Sequence, residues 1–121
     1  MGNIGRWFKK LTSDDAELEA DALTEEADAC GAEHADGCRK GQRVTLQGRL
    51  RYVDLHPNEA QAALTAELYD GTDSVKLIWL GRRSISGIEP GRTMRVRGRV
   101  AVQDGQKIIY NPDYDLMSVH A

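Results

Sequence analysis

The chain has little of what membrane insertion, disulfide scaffolding or familiar catalysis would require. Of its 121 residues seven are aromatic, three are proline and two are cysteine. Two cysteines, Cys30 and Cys38, are too few for a disulfide framework. The longest unbroken apolar run, Leu77 to Leu80, is far shorter than the roughly 20 residues of a membrane-spanning helix. The first residues lack the apolar core and cleavage site of a signal peptide. Arg6 stands where a myristoylation motif starting at Gly2 would need Ser or Thr. A cytoplasmic protein with no membrane association is therefore expected. No GxxxxGKS/T loop, HExxH helix or GxSxG elbow occurs, so the expectation is a protein that is not an enzyme and carries no cofactor.

What is present is an uneven distribution of charge. Residues 1–40 hold five Lys/Arg against ten Asp/Glu, and residues 41–121 hold eleven against nine, within a net charge of −3. All ten N-terminal acids fall between Asp14 and Asp36, a stretch with no Lys or Arg. An acidic segment joined to a mildly basic one is a reason to consider a nucleic-acid partner. The acidic part has helical periodicity. Ile4, Trp7, Phe8 and Leu11 predict a short helix, and a weak capping box at Thr12 and Asp15 predicts a second one. In that second helix Ala16, Ala20, Leu23, Ala27 and Cys30 form a narrow stripe, mostly alanine, that would dock weakly because alanine buries little area. Gly31 and Gly37 end it, and residues 31–41 read as a linker. The division is thus an acidic helical arm with linker over 1–40 and a second unit over 41–121.

After Gly41 the apolar period becomes two. Val44, Leu46 and Leu50 alternate with polar residues, with Gly48 mid-strand. Leu64, Ala66 and Leu68 follow, then the turn Asp70-Gly71-Thr72-Asp73, then Val75, Leu77 and Trp79. Gly81 to Ile88 reads as a loop or one helical turn, and Pro90-Gly91 as the centre of a type II turn. A fourth strand carries Met94, Val96, Gly98 and Val100 on one face and Arg95, Arg97 and Arg99 on the other. Asp104-Gly105 closes a hairpin into a fifth strand, Lys107 to Tyr110, which Asn111-Pro112 ends. Five strands in about eighty residues, with glycines where a barrel must bend, predict a mainly β chain: a five-stranded Greek-key barrel of OB type behind an N-terminal helical acidic extension.

The strings GQRVTLQGRL, ALTAELYDGTDSVKLIWLG, GIEPGRTMRVRGRV and IIYNPDYDLM, spanning Gly41 to Met117, resemble an OB-fold nucleic-acid-binding domain. The pattern is similar to the wedge domain of RecG-type helicases and to small stand-alone actinobacterial OB-fold proteins, which share an acidic helical N-terminus after a Trp-containing start. The most specific pieces are the Asp-Gly turn before the apolar third strand and NPDYDL, Asn111 to Leu116. The resemblance implies a barrel that holds single-stranded or branched nucleic acid. No helicase motor is present, so no ATP-driven activity carries over, and few aromatics are available for base stacking.

The candidate binding residues are mainly basic. Arg95, Arg97 and Arg99 share a strand face, with Arg49 and Arg51 expected nearby because strands one and four pair in such a barrel. A bulge near Tyr52 would alter the facing of Arg51. Arg82 and Arg83 follow the third strand, which also carries Lys76. Guanidinium groups suit phosphate because their planar donors bind two oxygens at once; the plainer reading is a solvated strand face that protects an edge. Tyr69 faces outward by parity and is placed to stack on a base. Trp79 has core parity. Tyr110 and Tyr114 flank the Asn-Pro turn, with Tyr114 either packed on the barrel or free. Cys30, His34 and Cys38 are spaced by four, but a zinc site would need a fourth ligand such as His56, and Gly31 and Gly37 break the helix that would align them, so no metal is expected. Asp113 and Asp115 read as turn and surface acids. The acidic run reads as a solvated helix, as a decoy that occupies the arginines, or as the docking segment for a protein partner.

Overall fold

The computed structural model describes residues 2–29, 31–56 and 62–117, with side chains in 15–29, 31–55 and 62–117. Among these residues no helix is long and apolar enough to cross a membrane. Instead of two helices, the N-terminal part forms one, α1 (Gly2–Ala29), which continues through Thr12 and Asp15. No Gly or Pro lies between Arg6 and Cys30 to break it, and a capping box has no effect where the chain has no reason to stop. The side chains of Ile4, Trp7, Phe8 and Leu11, and all of Cys30, lie outside the described residues.

Six strands follow: β1 (Arg43–His56), β2 (Ala63–Tyr69), β3 (Ser74–Leu80), β4 (Thr93–Gln103), β5 (Gln106–Tyr110) and β6 (Asp113–Leu116). The first five close into a ring in the order β1-β2-β3-β5-β4 and back to β1; only the β3–β5 pair is parallel. The period-two residues point inward as expected. Leu46, Leu77, Met94, Val96 and Ile109 are fully buried, each worth about 1.5–3 kcal/mol of burial where the side chain is large. The Gly81–Ile88 segment is a loop, and its Ile85 and Ile88 are buried in the same core. Gly48 is where β1 passes from β4 to β2: a Cβ there would run into the Tyr69 carbonyl, so the barrel closes only over a glycine.

The sixth strand was not expected. Asn111 takes a φ of 48° and the chain turns at Pro112, then Asp113–Leu116 pairs with β4 between Met94 and Arg97, while β5 pairs with β4 between Val100 and Gln103. Asn111-Pro112 therefore ends β5 as expected, and a further short strand follows it along β4. Trp79 is a core residue at 5% exposure; its indole N–H donates to the Pro112 carbonyl at 3.3 Å, and Tyr114 packs edge-on against its ring at 5.9 Å.

Residues 31–41, expected as a linker, are docked. The Glu33 N–H donates to the Thr45 carbonyl at 2.8 Å while the Glu33 carboxylate accepts from the Thr45 N–H, covering the β1 edge. A 3-10 turn, Ala35–Gly37, packs into the barrel core through Ala35. The buried Asp70 carboxylate accepts from the Ala35 N–H at 2.7 Å, and the Lys107 ammonium donates to the Ala35 carbonyl at 2.6 Å and to Asp73 at 3.1 Å. On α1 itself Leu23 and Ala27 are buried, and a Cβ on Gly71 (φ 98°) would strike the Ala20 carbonyl and the Thr24 hydroxyl. The weak alanine stripe is thus supplemented by hydrogen bonds that follow it in sequence.

Candidate nucleic-acid interface

The outer wall of the ring carries two groups of cations. The first is on β4. The register sets Arg95 opposite Gln47, Arg97 opposite Thr45 and Arg99 opposite Arg43; Arg49, opposite Thr93, is a diagonal neighbour of Arg95, whereas Arg51 lies beyond the stretch that pairs with β4. β1 is fourteen residues long and only its first half, up to Arg49, pairs with β4. On the other side, β6 brings Asp115 opposite Arg95 and Asp113 opposite Arg97. Arg97 donates to the Asp115 carboxylate at 2.8 Å, which holds the Asp115 carboxyl below its usual range. Arg95 makes two bonds to the Gln47 carbonyl oxygen, at 3.1 and 3.3 Å, and Arg99 donates to the Gly41 carbonyl at 2.9 Å. Asp113 and Asp115 are surface acids, as read, but they stand in the row beside the stripe and partly neutralise it.

The second group lies on the outward face of β1, β2 and β3. Arg49 is paired across to Tyr69, and Arg51 occupies the bulge between Leu50 and Tyr52. A bulge re-aims its side chain, and the Arg51 guanidinium sits 3.9 Å over the Tyr69 ring. The Tyr69 hydroxyl donates to the Gly71 carbonyl at 3.3 Å, fixing the ring. In the next row Tyr52, Glu67 and Lys76 stand side by side, and beyond them Thr65, Ile78 and Tyr110. Tyr110 is 45% exposed and Leu80 46%. The Tyr52 hydroxyl is pushed above its usual range, first by burial and then by Glu67 and Asp54, so it remains a neutral donor. Tyr52 and Tyr110 were not singled out for this face. Their outward parity relative to Leu64 and Leu77 was the signal, but it needs the bulge at Arg51 and the β3–β5 register to be read.

The remaining expected residues are dispersed. Arg82 and Arg83 are exposed in the loop after β3, at the end where Gly81 bonds back to Ala62. Arg49 lies 3.7 Å from Glu19 of α1, an exposed contact of little energetic weight. Among the described residues that is the one ion pair between the acidic helix and an arginine of the barrel, and the acid paired with the stripe comes from β6. The His34 Nε2–H donates to the Asp28 carboxylate at 2.6 Å, and the Cys38 thiol, pushed up by burial, donates to the His34 carbonyl. Cys30 and the His56 side chain lie outside the described residues, and among the described ones no cluster of His, Cys, Asp or Glu could hold a metal ion.

No family model matches the chain, and no curated protein matches it. Among solved structures it is similar to RecG bound to a three-way DNA junction, with a TM-score of 0.54 and 28% identity over 63% of this chain and 11% of that one. It is also similar, at a TM-score of 0.49 and 18% identity over 74% of this chain and 75% of that one, to a Replication Protein A heterotrimer bound to ssDNA. The chain therefore spans about a tenth of the RecG chain it matches. The closed five-strand ring is an OB-fold.

Proposed function

We propose that the chain is a non-enzymatic nucleic-acid-binding protein that takes single-stranded or branched DNA, or RNA, with little sequence preference. The observation that carries this reading is the Arg51–Tyr69 pair on the outward β1–β2–β3 face. In an OB barrel the face of strands two and three is where oligonucleotides lie. A guanidinium group held over a fixed ring can stack on a base in its turn, and Lys76 and exposed Tyr110 extend the platform. The DNA in the RecG structure supports the same class of ligand. Stacking and phosphate contacts tolerate any base, hence the lack of preference.

The test is a titration of labelled single strands of mixed sequence at several salt concentrations. Affinity should fall linearly on a log–log plot, as counterion release requires. Tyr69→Ala should weaken binding by about 1–3 kcal/mol on every sequence. Salt-independent binding, or a Tyr69→Ala variant equal to the parent, would sink the reading. A second reading, a protein-interaction module, has one observation in its favour: Leu18 is 67% exposed among the exposed acids of α1. Loss of all oligonucleotide binding in the titration would favour it.

A further inference from the structure

The cations at the start of β1 were outside the sequence reading apart from Arg99, and they are built differently from the rest. Arg39-Lys40-Gly41-Gln42 forms a turn: the Gln42 N–H donates to the Arg39 carbonyl at 3.0 Å, and Gly41 takes a φ of 85°. Lys40 stands at its tip, with Arg39 before and Arg43 after, all exposed. The turn is pinned to β4. The Gly41 N–H donates to the Val100 carbonyl at 2.7 Å, the Val100 N–H to the Gln42 carbonyl at 2.9 Å, and Arg99 to the Gly41 carbonyl at 2.9 Å. A shallow depression of about 600 Å³ beside it is lined by Gly37, Arg39, Lys40, Gly41 and Gln42.

Three features together point to an anion. Arg43 and Arg99 are directly opposite each other, an arrangement that destabilises a strand pair when both charges have the same sign. None of Arg39, Lys40, Arg43 and Arg99 joins an ion pair among the described residues. The acid that touches the turn, Glu33, has one carboxylate oxygen on the Thr45 N–H and the other on the Gln42 side-chain amide. No aromatic ring lines the depression, so the corner offers contacts to phosphates and none to bases. Phosphate contacts without base contacts suit a duplex, whose bases are stacked inside and whose backbone is outside.

We infer that this corner grips the backbone of a duplex segment while the Tyr69 face holds a single strand, so that the substrate is a junction between the two. The inference rests on the nucleic-acid reading above and adds a second surface to it. The test uses three probes at about 0.15 M salt, where charges beyond roughly 8 Å are largely screened: an eight-nucleotide single strand, a blunt duplex, and a fork that joins them. The full chain should bind the fork more tightly than either part. The triple variant Arg39→Ala, Lys40→Ala, Arg43→Ala removes three exposed side chains that hold nothing in place, and its melting curve checks the fold. It should lose roughly tenfold or more on the duplex and the fork, with the salt slope on the duplex shallower by about three. Its affinity for the eight-nucleotide strand should stay within about twofold. Equal losses on strand and fork would reduce the effect to bulk charge and overturn the inference, as would an unchanged fork. If the parent fails to bind the single strand yet loses duplex binding in the variant, the Tyr69 platform falls and the corner stands.

Discussion

Asp70→Ala tests whether the acidic arm is part of the folded unit. Asp70 is 1% exposed and its carboxylate accepts four hydrogen bonds. One oxygen takes the Thr72 N–H, the Thr72 hydroxyl and the Asp73 N–H, which build the β2–β3 turn; the other takes the Ala35 N–H at 2.7 Å. Truncation strands the Ala35 N–H in a residue 1% exposed, at a cost of about 1–3 kcal/mol. The three turn donors reach water more easily and contribute about 0.5–1 kcal/mol each. The total of about 3–6 kcal/mol should lower the melting temperature by at least about 10 °C in a chain of this size. Asp70→Asn separates the two roles. Its amide oxygen can still cap the turn, but its NH2 would then face the Ala35 N–H, donor to donor. That variant should keep the barrel and release residues 31–41, seen as faster hydrogen exchange at Ala35 and Thr45 with the β3 amides unchanged. An Asp70→Ala protein within about 1 kcal/mol of the parent, or one in which Ala35 stays protected, would refute the reasoning.

Further expectations follow from other contacts. Asp115→Ala frees Arg97 and removes a negative charge from the stripe's edge, so affinity for single strands should rise about threefold at low salt, and an unchanged affinity would show that the stripe is not near bound phosphate. Gly48→Ala drives a Cβ into the Tyr69 carbonyl and should cost more than about 3 kcal/mol in a denaturant melt, whereas ordinary surface substitutions stay within about 0.5. His34 is raised above 6.5 by its hydrogen bond to Asp28, helped by the charges of Asp28, Asp70 and Asp36 against partial desolvation. A raised folded value means that the contact contributes fully below pH 6.5 and is lost as pH rises through the folded value; an NMR titration should put the midpoint above 6.5, and Asp28→Asn should bring it down.

The barrel was legible because its signals are local. Alternation in Val75-Leu77-Trp79 and Met94-Val96, the Pro90-Gly91 turn with Gly91 at a φ of 86°, and the Asp104-Gly105 hairpin each need only a few neighbouring residues. Apart from the break expected within α1, the errors concern partners distant in sequence. The 31–41 segment resembles a linker because its own residues bury little, and what holds it is a carboxylate 35 positions away and an ammonium 72 away. β6 is four residues long behind a proline, too short for alternation to register, and its existence depends on β4 having a free edge there. The arginine stripe was placed on the correct strand face, but its neighbours follow from register and not from parity. Arg39 and Lys40 belong to no alternating segment and Arg43 only opens one; the turn at Gly41 and the pairing of β1 with β4 bring them beside Arg99.

The docked arm changes the meaning of its charge. Tethered by a free linker, it would act as a competing polyanion at high local concentration, released by salt. The structure ties it down by other means: buried Leu23 and Ala27, and backbone bonds from residues 33 and 35 to β1 and the β2–β3 turn. The one ion pair to the barrel among the described residues, Glu19 to Arg49 at 3.7 Å with both side chains nearly half exposed, adds little to that. Salt should then weaken phosphate binding steeply while leaving the arm in place, whereas a free decoy would loosen together with the ligand. Held in this way, the seven exposed carboxylates between Asp15 and Asp28 are a fixed field alongside β1 rather than a mobile competitor. A fixed negative flank repels phosphate from its own side of the barrel, and that side borders the Tyr69 ring, because Glu19 reaches Arg49 beside Tyr69 and Ala20 and Thr24 lie over Gly71; approach is favoured away from it, at the Lys76 and Tyr110 end of the platform and at the corner at Lys40. On this argument the arm acts on where a nucleic acid lies more than on how tightly it is held.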